Sequence, residues 1–193
     1  AVIRRDSGQA CELVQYLSTF FRKNLKRPSE IVTLSDEMEH VNAYLKIEQA
    51  RFQSRLRVTL HLPESLCQQR LPAFTLQPIV ENAIRYGSNC APPWNISITS
   101  VVTEGSWQIE VTDSGPGFTE EAKERITANI MKAIQNPGLP ELKINGLGTI
   151  NVYLRWKIFC KGDIIFRYGN TADGHGIVSI GRYFSKTAKS ADE

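Results

Sequence analysis

The chain has 193 residues, of which 41% are hydrophobic and 22% charged, values ordinary for a folded globular protein and enough for one full domain plus an accessory element. Its net charge of +3, from 23 basic and 20 acidic residues, is too small to argue for nucleic acid as a partner. No apolar run approaches the roughly 18–20 residues of a membrane span, no signal peptide is recognisable, and Cys11, Cys67, Cys90 and Cys160 include no CxxC pair, so the sequence reads them as buried free thiols of a reducing compartment rather than a disulfide frame or a zinc site.

The chain opens without Met on AVIRRDSGQA, in what reads as the middle of a helix, and is expected to be a piece of a longer protein. Ala10, Leu13, Val14, Leu17, Phe20, Phe21 and Leu25 make a broad apolar stripe over a first helix of about residues 6–27. Arg22, Lys23, Lys26 and Arg27 close it, as suits a helix C-terminus, and Pro28 ends it. Thr33, with Asp36 three residues on, starts a second helix of about 34–51, from which Met38, Val41, Leu45 and Ile47 are expected to pack on the first. RLRVTLHLP alternates as a strand does.

LQPIVENAIRYG, residues 76–87, reads as a helix, with Leu76, Ile79, Val80, Ala83 and Ile84 on one face. WNISITSVV and SWQIEVTD, separated by TEGS, predict a β-hairpin. FTEEAKERITANIMKAIQ is amphipathic and polar, NPGLPELKING is rich in turn residues, and LGTINVYLRWKIF is helical again. GDIIFRYGN and GIVSIGRYF are two last strands joined by the turn-rich TADGH, and the polar tail begins at Lys186. Strands that come mostly as hairpins, with helices between, predict helices on one face of a mainly antiparallel sheet.

Three short motifs carry chemistry. In VTDSGPGF, a carboxylate at a strand end, Asp113, is placed to accept a hydrogen bond from an exocyclic amino group, and Gly115 and Gly117 let a flat ligand approach the backbone; taken alone it is also a plain turn. In NGLGTIN, Gly146, Gly148 and Thr149 open a helix whose free N–H groups suit phosphate, or else form a Gly-rich loop with a helix cap. The helix at 76–87 carries Glu81, Asn82 and Arg85 inside an apolar pattern. If it lies beside both loops, Asn82 offers an amide oxygen to Mg²⁺, Arg85 reaches a phosphate, and Glu81 orients a water or a nucleophile. The segment between the last two motifs, 118–145, is long enough to be a lid over a nucleotide.

Together ENAIRYG, DSGPGF and GLGTINVYLR resemble the N, G1 and G2 boxes of the GHKL ATPases, a superfamily that includes gyrase B, Hsp90, histidine kinases and MutL. VTLSDEMEHVNAYLKIEQARFQSRL followed by LPAFTLQPIVENAIRYG is similar to the cytoplasmic kinase region of LytS/YehU/YpdA-type bacterial sensor histidine kinases, over roughly residues 10–184. The resemblance implies an α+β fold, a Bergerat-type two-layer α/β sandwich with a mixed, mostly antiparallel sheet over 55–186, preceded by a helical dimerisation segment at 1–54 and followed by the tail at 187–193. It implies ATP with Mg²⁺: Asp113 on the adenine amino group with Gly115 and Gly117 beside the base, Asn82 on Mg²⁺, Arg85 and Tyr86 on the phosphate side, and Gly146, Leu147, Gly148 and Thr149 around the phosphates. It further implies a homodimer, transfer of the γ-phosphoryl to a histidine and thence to a response regulator, and a place on the cytoplasmic side of a bacterial inner membrane.

Three departures stand beside it. The family's H-F-x-F-N phosphoacceptor motif is absent: His40, His61 and His175 are the histidines of the chain, and none has that context, His40 reading as a helix-packing or surface residue. The chain is therefore expected to hold the ATP site without its own acceptor. Pro78 stands one turn before Asn82, where several branches carry an acid or Asn, and Ile177 stands where relatives often carry Thr. A non-catalytic nucleotide-sensing module, or another GHKL ATPase or Ser kinase, are the alternatives.

Overall fold

The structure, a computed structural model, describes residues 7–25, 30–135 and 148–184. Its helices are α1 (Ser7–Asn24), α2 (Leu34–Phe52), α3 (Gln77–Gly87), α4 (Glu120–Gln135) and α5 (Gly148–Cys160). Its strands are β1 (Ile31–Thr33), β2 (Leu56–His61), β3 (Arg70–Pro72), β4 (Trp94–Val102), β5 (Ser106–Asp113), β6 (Ile164–Asn170) and β7 (Gly176–Tyr183).

Five strands form one sheet in the order β2-β4-β5-β7-β6. The expected hairpin is present, with Val102 opposite Trp107, and β6 and β7 pair antiparallel from Ile164–Arg182 to Asn170–Gly176. The edge strand β2 runs parallel to β4, so the sheet is mixed, as expected. Alternation decides its faces: Trp94, Ile96 and Ile98 of β4 and Trp107, Ile109 and Val111 of β5 are buried, while the residues between them are partly or fully exposed. The buried face meets α2, α3 and α5, giving two layers with one core.

A second, two-stranded sheet joins β1 to β3, from Ile31–Pro72 to Thr33–Arg70. Strands this short carry no periodicity to read. They bring the start of α2 to the loop before α3, and the Leu34 N–H donates to Gln69 O at 2.7 Å.

The Thr33–Asp36 start of α2 is a full capping box: Thr33 Oγ1 accepts from the Asp36 N–H at 3.1 Å, and Asp36 Oδ2 accepts from the Thr33 N–H at 3.4 Å. The expected pairing of α2 with α1 is present, but Val41 and Leu45 do not make it. Val41 and Leu45 belong to the main core, and Met38 packs on it. The α1-facing side instead carries Asp36, Glu39, His40 and Tyr44, because α2 is apolar on one face and must turn that face to the sheet. Phe20 of α1 packs on the His40 and Tyr44 rings, at centroid distances of 5.2 and 6.0 Å. Lys23 bridges Asp36 at 3.1 Å and Glu39 at 2.6 Å. Burial alone would lower the Lys23 ammonium, but the hydrogen bonds and attraction of Glu39 and Asp36 raise it, so this residue of the basic cluster at the end of α1 is held by α2.

The thiols are free but not buried, which corrects the sequence reading: Cys11 and Cys90 are exposed, Cys67 and Cys160 half-buried. Among the described residues no helix is long and apolar enough to cross a membrane.

Candidate functional site

Helix α3 links both halves of the site. At its C-terminal end, the backbone of Tyr86 and Gly87 lies directly against the loop after β5. A Cβ added at Gly115 would stand 2.8 Å from Tyr86 O, 2.9 Å from Gly87 Cα and 2.8 Å from Asp113 Oδ1. Only glycine permits this approach. Asp113, the last residue of β5, accepts the Gly115 N–H through Oδ1 at 2.8 Å. Its Oδ2 faces Gly176, where a Cβ would stand 2.6 Å away. The carboxylate is thus walled by glycine backbone, a cradle that a side chain at either position would fill.

Burial pushes the Asp113 carboxyl above its ordinary value, and the Gly115 N–H and the nearby His175 only partly offset it. His175 lies in the TADGH connection between β6 and β7. Its Nδ1 also lies 3.0 Å from Gly115 O, joining the β6–β7 turn to the Asp113 loop. Ile177, one of the departures from the family pattern, follows Gly176 directly and pairs with Thr112 in the ladder.

Gly117 adopts φ 72°, and its Cα faces Gly174 O and the Asn170 side chain. Asn170 grips the next residue with both ends of its amide, Oδ1 accepting from the Phe118 N–H at 2.7 Å and Nδ2 donating to Phe118 O at 3.0 Å. Helix α4 follows, and its Thr127 Oγ1 lies 2.7 Å from the Tyr168 hydroxyl of β6.

The other half of the site is the meeting of α3 with the start of α5. Asn82 Nδ2 donates to Thr149 Oγ1 at 3.1 Å across 67 residues of chain. With its NH₂ engaged there, what Asn82 has left for a cation is its amide oxygen, a donor type that suits Mg²⁺. Pro78 packs beside Gly148, where a Cβ would lie 3.7 Å from Pro78 Cβ. The first turn of α5 has backbone N–H groups without intrahelical partners, as every helix start does.

Glu81 and Arg85 point to a different neighbour. Glu81 Oε1 accepts from Gln77 Nε2 at 2.7 Å, one turn back. Both residues lie within electrostatic reach of Tyr44 on α2, whose hydroxyl is pushed well up by burial and then by the charges of Glu48 and Glu81, with Arg51 and Arg85 opposing. Arg85 is exposed and the Tyr86 side chain is 50% exposed, so the contact of Tyr86 with Gly115 is made by its backbone. Gly146 and Leu147 lie outside the described residues, as does all of NPGLPELKING. Among the described residues no cluster of His, Cys, Asp or Glu could hold a metal by itself. The fit to Mg²⁺ therefore rests on Asn82 together with oxygens from a phosphate ligand, the usual manner of this cation.

Sequence reasoning missed two residues next to this site. Glu37 of α2 is 2% exposed and accepts backbone N–H groups of Phe74, Leu76 and Gln77 at the entry to α3. Arg155 of α5 donates to the carbonyls of Ala73 and Phe74 at 2.5 and 2.6 Å. A signal for Glu37 existed: it falls three residues after Leu34 and four before Val41, on the apolar side of its helix.

Comparison with known proteins agrees with the geometry. Residues 1–56 match the family model described as "Histidine kinase", and residues 68–178, more than half of the chain, match "Histidine kinase-, DNA gyrase B-, and HSP90-like ATPase". The sensor histidine kinase BtsS of Escherichia coli K12 is 76% identical over 89 residues, which is 46% of this chain and 16% of that relative. The sensor protein LytS of Oceanobacillus iheyensis is 33% identical over 157 residues, 80% of this chain and 26% of that relative. The chain thus spans about a quarter or less of these curated relatives. A nucleotide-free catalytic domain of the histidine kinase ThkA superposes with a TM-score of 0.54 at 18% identity, covering 80% of this chain and 96% of that one. ThkA solved in complex with the response regulator TrrA gives 0.52 at 14% identity, covering 93% and 49%; both likenesses bear on the fold. By its match over residues 68–178, the chain belongs to the family of histidine kinase-, DNA gyrase B- and HSP90-like ATPases, the GHKL group, and carries its α/β sandwich.

Proposed function

We propose that the chain is the ATP-binding catalytic part of a two-component sensor histidine kinase. The observation that carries this reading is that α3 has a glycine-walled carboxylate, Asp113, at its C-terminal end and, at its middle, the Asn82–Thr149 contact with a second helix start. A purine amino group fits the first and a metal-bound triphosphate the second.

In this reading Asp113 accepts from the adenine amino group, with Gly115 and Gly117 beside the base. Gly146, Leu147, Gly148 and Thr149 hold the phosphates through backbone N–H groups. Arg85 and Tyr86 line the phosphate side, Asn82 offers its amide oxygen to Mg²⁺, and Glu81 orients a water or the nucleophile. Mg²⁺, when bound, neutralises charge across the phosphates. The reaction breaks the bond between the γ-phosphorus and the β–γ bridging oxygen and forms a P–N bond to a histidine. That histidine is proposed to lie outside this chain, since His40 is 3% exposed between Phe20 and Phe74, His175 is joined to Gly115, and His61, exposed on β2, stands in no H-F-x-F-N context. The chain alone is then unable to autophosphorylate, and the phosphoryl passes onward to a response regulator.

Residues 1–54 are proposed as the helical dimerisation segment, 55–186 as the ATP-binding unit with 118–145 as its lid, and 187–193 as a tail. Val14 and Phe21 on α1, and Leu25 just after it, 63%, 64% and 86% exposed, support self-association through that helix. The whole protein is proposed to place this part on the cytoplasmic side of a bacterial inner membrane.

Asn82→Ala tests the metal half. The unmodified chain is expected to lose at least about tenfold in ATP affinity, or 1.4 kcal/mol, when Mg²⁺ is removed with EDTA, and the variant much less. An equal response of both proteins to EDTA, measured by calorimetry, contradicts the role of Asn82.

A second reading, a nucleotide-sensing module without catalysis, is favoured by Pro78, which fills a position beside Gly148 with a side chain that can neither accept nor donate a proton. Supplying the upstream histidine segment and finding no acid-labile phosphate, with ATP still bound, would support it.

A further inference from the structure

The segment 73–77, between β3 and α3, is gripped from two sides. From α2, Glu37 Oε1 accepts the N–H groups of Leu76 at 2.9 Å and Gln77 at 3.4 Å, and Oε2 accepts that of Phe74 at 3.0 Å. From α5, the Arg155 guanidinium donates to Ala73 O and Phe74 O. Glu37 therefore stands in for the cap that α3 lacks, since Leu76 at its N-terminus makes no side-chain cap bond. A carboxylate there also meets the positive end of the helix dipole.

Between the two grips Phe74 holds φ 59°, a left-handed conformation that a bulky side chain rarely adopts and that persists only where the surroundings enforce it. Its ring packs edge-on against His40, at 5.3 Å, and His40 in turn packs on Phe20 of α1. One strained residue thus touches elements of the helical segment and is bonded to the helix whose first turn, Gly148–Thr149, faces Asn82.

We propose that Glu37 and Arg155 are positioning residues for the nucleotide site: they clamp residues 73–77 so that the placement of α2 and the placement of the α5 N-terminus against α3 are energetically coupled. The inference rests on the nucleotide reading above and adds to it a route by which the helical segment and the bound nucleotide influence each other. Neither residue touches the site itself. Because such coupling is reciprocal, a nucleotide that seats α5 must tighten the clamp by the factor by which the clamp tightens nucleotide binding.

The test is amide hydrogen exchange on the unmodified chain, with and without Mg-ADP, followed at Phe74, Leu76 and Gln77. Exchange there is expected to slow at least about threefold on nucleotide binding, although these amides lie outside the site. Arg155→Lys, which keeps a cation near Glu37 but loses the two-carbonyl fork, is expected to abolish that slowing and to weaken Mg-ADP binding about fivefold. Leu56→Ala, a core change on the edge strand β2, which pairs with β4 and takes no part in the hydrogen bonds at 73–77, serves as a control for lost stability and is expected to leave affinity and slowing intact. A chain that binds Mg-ADP with no change at residues 74–77, or equal loss of affinity in the two variants, overturns the coupling. Absence of any nucleotide binding by the unmodified chain overturns the nucleotide reading, and this inference with it.

Discussion

Asp113→Asn is expected to weaken Mg-ATP binding at least about tenfold while leaving the thermal stability of the nucleotide-free chain equal or higher. Asn Oδ1 can still accept the Gly115 N–H that Asp113 Oδ1 accepts now, so the loop keeps its shape. The other end of the side chain, facing Gly176, becomes an NH₂ group, a donor set against the adenine amino donor. A lost charge-assisted hydrogen bond is worth about 1.5–3 kcal/mol, which sets the minimum of about tenfold.

Stability should move the other way because the Asp113 carboxyl is raised by burial. An acid raised on folding contributes stability below its unfolded value and loses it as pH rises through its folded value. At neutral pH its charged form is a net cost to the fold, and the neutral amide removes that cost. Calorimetry for affinity and thermal unfolding for stability check the pair. Unchanged affinity would remove Asp113 from the adenine role, and a large fall in stability would show that its place in the loop is structural instead.

Trp156→Ala is expected to destabilise the chain by about 3–5 kcal/mol. Trp156 is 1% exposed and packs edge-on against Trp107 of β5, with ring centroids 5.9 Å apart. Its indole Nε1 donates to Gly181 O of β7 at 2.7 Å. This one residue fastens α5, the helix proposed to open on the phosphates, to the middle of the sheet. Trp156→Phe keeps an aromatic ring but drops the bond to Gly181, and the smaller loss expected, about 1–3 kcal/mol, separates hydrogen bonding from packing. Urea unfolding followed by far-UV circular dichroism measures both; a loss under about 1 kcal/mol for the alanine variant would mean that α5 is held by other contacts.

What could be read in advance divides along physical lines. Local signals were legible. The Thr33–Asp36 box, the hairpin around TEGS and the apolar face of α3 are encoded within a few residues, and each is found where expected. The glycine loops were legible as places where backbone must come close, and Gly115 is such a place. Contacts made across long stretches of chain were not legible. The β1–β3 pair joins two three-residue strands about 40 residues apart, and nothing in IVT or RLP announces a partner. The amide of Asn170, at the end of a strand, clasping Phe118, and the ring of His175, in the turn-rich TADGH, on Gly115 carry no local sign of their partners. The choice of face on α2 went wrong because its apolar residues suit either neighbour, and the sheet, which buries more, takes Val41 and Leu45.

The most direct test of the shared site is nitrogen-15 NMR of the chain during titration with Mg-ATP. Saturable shifts are expected at Asp113, Gly115 and Gly117 by the C-terminal end of α3, and at Asn82, Gly148 and Thr149 where its middle meets α5, in a single binding event. Shifts confined to one of these places, or no binding at millimolar nucleotide, would contradict a purine and its triphosphate spanning the two.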